Sequence, residues 1–262
     1  MKKNVLGVKI DDITSEEALE RVKGWLEGKG KYYIVTPNPE FLVAAQKDQV
    51  FRKLLNDADL SIPDGVGLKL SGKVKNTVYG VDFMEKLVEM SNDYGFTVSK
   101  APLRVGLLGG KGGVAKRAAE CLRKKYPKVQ IVFADSGGEI DDDGNVIART
   151  LNLIQGTKQS NERLPRPFGA RNDGGSLDIL FVAFGHIKQE KWIGKNLKNI
   201  PVKVAMGVGG AFDYLSGEVM RAPKFIRVLG LEWLFRLILQ PWRIKRQLAL
   251  VKYMILLGSS RT

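Results

Sequence analysis

The sequence predicts an α/β fold built on a parallel sheet, and three observations carry that prediction. Short β-branched runs alternate with longer amphipathic segments as far as about residue 150, glycine-rich loops follow several of those runs, and strand signals stop from Ala222 onward. Residues 32–36 (YYIVT) form a strand, and 39–56 a helix whose Phe41, Leu42, Ala45, Val50, Leu54 and Leu55 fall near 3.6-residue spacing. Residues 60–62 make a short strand. The strand 104–108, the loop 109–113 (GGKGG) and the helix 114–126 repeat the unit, and 129–133 form the next strand. Residues 178–184 and 202–206 add two more, with a helix between them. The whole reads as a Rossmann-like parallel-sheet core.

Two regions depart from this pattern. Residues 152–176 are polar, rich in Gly and Pro and without periodicity, which predicts a long mobile loop serving as a connection. From residue 222 the chain turns to amphipathic helical segments in which Trp233, Phe235, Trp242 and Tyr253 are interleaved with basic residues. The expected division is a core over 1–216 and a basic helical appendage over 217–262, meeting near Gly217. The formal charge is +14, and residues 217–262 hold nine Lys/Arg against two acids, half of the excess. Such a surface attracts anions: nucleic acid, phosphorylated metabolites or an acidic membrane face.

With 262 residues and 44% hydrophobic composition, the chain can bury a substantial core. Its one cysteine, Cys121, excludes an internal disulfide, fits a reducing compartment and is expected to be buried as a small hydrophobe. The opening MKKNVLGVKIDD has no sustained apolar run of the signal-peptide kind, and the apolar stretch 228–239 is interrupted by Glu232 and Arg236 and is too short to span a bilayer. A cytoplasmic protein, at most lying on a membrane, is expected.

In open α/β sheets, ligands bind beyond the carboxyl ends of the strands, where backbone N–H groups and helix N-termini converge. Five polar clusters follow predicted strands: Thr36-Pro37-Asn38; Asp64 within "SIPDGVG"; the loop containing Gly109 and Gly110; residues 185–190 with Lys188 and Gln189; and 207–210 with Gly209. Each has a plain alternative. Pro-Asp-Gly is turn chemistry, loop 109–113 matches neither a dinucleotide nor a Walker pattern, and 188–191 also reads as the polar first turn of a helix anchored by Trp192. The run Asp141–Asp143 before Gly144 imitates an acidic metal motif but reads better as an exposed turn. His186 is the only histidine, and no serine has a nucleophile-elbow context.

The stretches "TPNPEFLVAAQ", "DADLSIPDGVGL", "LLGGKGGVAKRAAECLRKKYP", "DILFVAFGHIKQEKWI", "VAMGVGGAFDYLSGEVMRAPKF" and "LGLEWLFRLILQPWR" together resemble the WecG/TagA/CpsF glycosyltransferases, in order and over nearly the whole chain. The nearest branch is that of wall teichoic acid synthesis. The resemblance implies transfer of N-acetylmannosamine from a UDP donor to GlcNAc on undecaprenyl diphosphate, forming a β-1,4 bond with inversion, without metal or other cofactor, at the inner face of the membrane. It implies catalytic roles for Asp64 of "PDG", Thr36 of "TPN", Gln189 of "KQE" and Arg236, with Arg243 and Arg246 as further substrate contacts. Two positions depart from the family pattern: Ile187 replaces a usual Pro, and Thr77 lies where Arg is common.

Inverting transfer needs one base for the acceptor hydroxyl and a counter-charge for the departing diphosphate. A single carboxylate meets the first need; guanidinium groups, which grip phosphate oxygens bidentately, meet the second. The basic tail could also hold the enzyme on an anionic leaflet through Lys/Arg and buried aromatic residues. Two rivals stand beside this reading: the same fold using another UDP-hexosamine such as UDP-N-acetylmannosaminuronic acid, and a basic nucleic-acid-binding protein, although the tail lacks an RRM, KH or helix-turn-helix signature. A homo-oligomer is left open.

Overall fold

The structure is a computed structural model that describes residues 2–92, 102–145 and 176–259, with the side chains of residues 228, 243 and 245–247 outside that description. The expected loop 152–176 therefore lies outside the described residues except for Ser176. An antiparallel hairpin of β1 (Lys2–Val5) and β2 (Val8–Asp11) opens the chain. Among the described residues the central sheet has six parallel strands: β3 (Tyr32–Val35), β4 (Leu60–Ser61), β5 (Arg104–Gly109), β6 (Gln130–Asp135), β7 (Leu177–Ala183) and β8 (Val202–Gly207). Their order is β4-β3-β8-β7-β5-β6, with Ile34 opposite both Leu60 and Met206, and Leu180 opposite both Gly106 and Ala205. Every residue of β7 is buried, which is why LDILFVA reads as an apolar run rather than an alternation. Its one charge is accommodated: Asp178 accepts a bond from the Arg104 N–H at 2.9 Å and pairs with Lys203 at 3.8 Å.

Two hydrophobic layers cover the sheet. Helices α1 (Ser15–Glu27), α4 (Gly80–Glu89), α5 (Val114–Lys125) and α7 (Ala211–Leu215) pack on one face. On the other lie the hairpin, α2 (Pro39–Ala45), α3 (Gln49–Asn56) and α6 (Lys188–Asn196). The helices that follow β3 and β7 thus lie opposite those that follow β5 and β8. Because these strands alternate across the sheet, connections leave neighbouring strand ends in opposite directions and open a crevice along the carboxyl edge.

The single helix expected over 39–56 is two. Asp48 interrupts it, its carboxylate accepting the Phe51 N–H at 2.9 Å as the cap of α3, and Val50, expected on the apolar face, is 65% exposed. Cys121 is also corrected: α5 buries Val114, Ala115, Ala118, Ala119 and Leu122, so residue 121 falls on the outer face and is exposed. Trp192 is fully buried and anchors α6 as expected.

The C-terminal segment is helical: α8 (Lys224–Val228), α9 (Glu232–Leu239) and α10 (Ile244–Ser259). Helix α10 packs on α2, burying Tyr253 and Leu257. In contrast, Phe225, Leu229, Trp242 and Ile255 are each at least 65% exposed. No helix among the described residues is long and apolar enough to cross a membrane.

Candidate active site

Asp64 stands beyond the end of β4, where Gly65 at φ +76° turns the chain away from the sheet. Its backbone N–H donates to the Pro37 carbonyl at 2.9 Å, tying the PDG turn to the TPN turn of the adjacent strand. Its Oδ1 accepts the Gly80 N–H at 3.1 Å at the start of α4, and Asn38 bonds the same carboxyl. Burial raises its pKa to about 6. The Gly80 bond works against that shift, Glu232 adds to it, and Asn38 and Arg221 oppose it. The result is a half-buried carboxylate whose proton affinity is close to what a general base at neutral pH requires.

Thr36, 8% exposed, packs against Gly80, where an added Cβ would come 3.4 Å from the threonine methyl. Asn38 caps α2, its Oδ1 accepting the Phe41 N–H at 3.1 Å. On the next strand, β8, the Gly209 N–H donates to Gln189 Oε1 at 3.0 Å, and Gln189 Nε2 donates to Glu190 Oε1 at 2.7 Å. Both side chains are buried, and burial raises the Glu190 pKa to about 7 against the opposing Gln189 bond. Gly207 makes this seat possible, since a Cβ there would lie 2.7 Å from both Gln189 Nε2 and Glu190 Oε1. Arg236 of α9 reaches the same strand end: its guanidinium lies 4.7 Å from the Tyr214 ring centre and would be 3.1 Å from a Cβ on Gly210. Its Nε is buried and has no hydrogen-bond partner among the described residues.

Asp64, Thr36, Asn38, Gln189, Gly209 and Arg236 therefore gather at the ends of three adjacent strands, β4, β3 and β8. Gly109 and Gly110 lie at β5, three strand spacings from β3, roughly 14 Å along the edge. Gly109 at φ +110° also has a packing reason, since a Cβ would meet the Ala183 carbonyl at 2.6 Å. Lys188 is engaged elsewhere, with Nζ 3.2 Å from the Ile140 carbonyl and 2.9 Å from Asp142. The backbones of Arg243 and Arg246 stand between α9 and the first turn of α10, and their side chains lie outside the described residues. Asp141 to Asp143 make the expected turn, Asp141 Oδ1 accepting the Asp143 and Asn145 N–H groups at 3.0 and 2.7 Å.

Sequence reasoning missed the group that seats the tail over this edge. Arg221 binds Asp82 of α4 and, at 3.3 Å, Glu232 of α9. Arg227 lies 3.3 Å from both Asp82 oxygens, and Tyr79 Oη donates to the Arg227 carbonyl at 2.9 Å. Tyr79, Asp82, Lys224 and Arg227 line a cleft of about 280 Å³ beside this network. Burial, and then the charges of Glu232, Asp64 and Asp82, raise the Tyr79 pKa, so these groups share one electrostatic neighbourhood with Asp64. "RAPK" and "LEW" were visible in the sequence, but nothing in their spacing paired them with Asp82.

A carboxyl with a raised pKa at a sheet edge, with an arginine at the neighbouring strand end, would suit a group transferase that expels an anionic leaving group. The family model for the glycosyl transferase WecG/TagA/CpsF family matches residues 3–161 and 172–262, and the chain belongs to that family. It is similar to proteins named N-acetylglucosaminyldiphosphoundecaprenol N-acetyl-beta-D-mannosaminyltransferase. The one from Bacillus subtilis (strain 168) is 33% identical over 236 residues, covering 88% of this chain and 80% of that protein. The one from Staphylococcus aureus (strain MRSA252) is 28% identical over 252 residues, covering 94% and 87%. These relationships disfavour the nucleic-acid reading.

Proposed function

We propose that this protein is an inverting, metal-independent glycosyltransferase that moves N-acetylmannosamine from UDP to GlcNAc-diphospho-undecaprenol, forming a β-1,4 bond, in the assembly of the wall teichoic acid linkage unit. The observation that carries the reading is the Asp64 carboxylate, with its pKa near 6 and its orientation fixed by Gly80. Within this reading, Asp64 takes the proton from the acceptor hydroxyl as the oxygen attacks the anomeric carbon from the face opposite UDP. Thr36 and Asn38 line the donor side of the base, and the Gln189–Gly209 bond fixes the β8 turn beneath the sugar. Arg236, with an unpartnered Nε, meets the departing diphosphate, and Arg243 and Arg246 add charge to that arm. Gly109 and Gly110 extend the groove toward the nucleotide, and Lys188 reaches it by leaving Asp142.

The lipid of the acceptor remains in the bilayer, so the enzyme works at the cytoplasmic face of the membrane. The exposed Phe225, Leu229, Trp242 and Ile255 supply apolar contact, and the basic tail supplies attraction to anionic headgroups. The test is incubation with a panel of UDP-sugars and a short-chain lipid-diphosphate-GlcNAc, with products read by mass. A single added N-acetylhexosamine, only from UDP-N-acetylmannosamine, is expected; transfer from a mannosaminuronic acid donor, or from none, would overturn the reading.

A further inference from the structure

We infer that Arg221 is a positioning residue that couples the base to the leaving-group arm, holding α9 against α4 so that Asp64 and Arg236 face one another across the crevice. This rests on the transferase reading above. The connection runs from Asp64 through α4 and Arg221 to α9. Gly80, at the start of α4, donates its N–H to Asp64 at 3.1 Å. Two residues on, Asp82 binds Arg221 Nη1. Arg221 Nε donates at 3.3 Å to Glu232. One helical turn later on α9 comes Arg236, and its guanidinium shares the Tyr214 ring with Arg221, at 4.7 and 5.9 Å.

The guanidinium geometry explains why an arginine is used. Its Nη1 and Nε edges are directed at two carboxylates on different helices, a fork that one lysine ammonium cannot reproduce. The same pairing argues against a substrate role: the charge of Arg221 is shared by Asp82 and Glu232, even though its Nη2, like Arg236 Nε, is buried without a hydrogen-bond partner among the described residues. The charged groups that act on Asp64 are Arg221 and Glu232 from the tail, and Tyr79, from the turn before α4, feels Glu232, Asp64, Asp82 and Arg227 in turn. Arg221 lowers and Glu232 raises the proton affinity of Asp64. Neutralising either partner of this one pair should therefore move the base in opposite directions.

The experiment compares R221Q, R221K and E232Q in the full chain, with circular dichroism and thermal melting to establish folding. The Asp64 carboxyl is titrated by carbon-13 NMR without substrate, and transfer is measured across pH. The Asp64 midpoint should rise in R221Q and fall in E232Q, which keeps a neutral acceptor for Arg221. For R221Q, kcat should fall by about 10²-fold, more than KM changes, the usual consequence of a misplaced constellation, and R221K should recover part of it. Midpoints that stay in place or move together, or a folded R221Q with wild-type kcat, would overturn the coupling. If R221Q does not fold, E232Q decides: an Asp64 midpoint that does not fall overturns it. A wild-type protein that transfers no sugar would refute the transferase reading while leaving both titrations to judge the coupling.

Discussion

Asp64→Asn should raise stability while removing activity, because the same environment that prepares the base penalises its charge. Burial lifts the carboxyl from its ordinary 3.8 to about 6. A raised acid pKa means the native state binds the proton more tightly than the unfolded chain. Native stability is therefore highest below about pH 4 with respect to this group, falls as pH rises from 4 to 6, and stays reduced above. The full penalty is about 3 kcal/mol at neutral pH, an upper bound for a half-buried group. Asparagine keeps an acceptor for the Gly80 N–H and carries no charge. A gain of roughly 1–3 kcal/mol at pH 7.5 converts to about 2–10 °C in Tm for a chain of this size. The gain should vanish near pH 3.5, where the wild-type carboxyl is protonated in both states. Turnover should fall by about 10²–10⁴, the usual contribution of a general base. Paired melting scans at the two pH values and a transfer assay on the same preparations give both answers. A folded Asp64→Asn protein with normal turnover, or one no more stable at pH 7.5 than wild type, would refute the reasoning.

Gly207→Ala should destabilise the protein by about 1–3 kcal/mol, read in denaturant melts, because its methyl enters the seat occupied by Gln189 and Glu190. Glu190→Gln should flatten the wild-type loss of Tm between about pH 4.5 and 7, since a buried acid raised from 4.5 to about 7 costs native stability progressively between those two values and no further above them; an unchanged slope would refute the assignment. Chelation by EDTA should leave transfer intact, as the acidic run 141–143 is occupied by its own turn and by Lys188 and Lys191; activity lost and then restored by Mg²⁺ or Mn²⁺ would make the reaction metal-dependent. Truncation after Gly217 should abolish both binding to anionic phosphatidylglycerol vesicles and transfer to a soluble acceptor. Arg236→Ala should lose the transfer and keep most of the vesicle binding, which co-sedimentation measures.

What the sequence made legible follows from how local each signal is. The parallel strands could be placed because β7 and β8 are covered on both faces and so are apolar apart from Asp178 and Lys203, which pair with each other, and the strand-end clusters followed from that placement. The split of 39–56 was hidden because a one-residue cap, Asp48, interrupts an otherwise continuous helical periodicity. Glu190 was invisible for a related reason: a charged residue on a polar-looking first turn predicts solvent, and only the close approach of Gly207 turns that side chain inward. The Arg221 network was hardest of all, since Asp82 lies 139 residues away in the chain from the arginine it binds. No periodicity encodes a pair at that separation; it exists because α4 and the tail meet above the carboxyl edge. The tail docks on the core by packing as well as by charge: α10 buries Tyr253 and Leu257 against α2, and the ion pairs fix the position of α9 over α4. Arg221 and Arg227 supply the charge and Asp82 receives it, Glu232 holds Arg221 to α9, and Tyr79 Oη adds a bond to the Arg227 carbonyl, all in the electrostatic surroundings of Asp64.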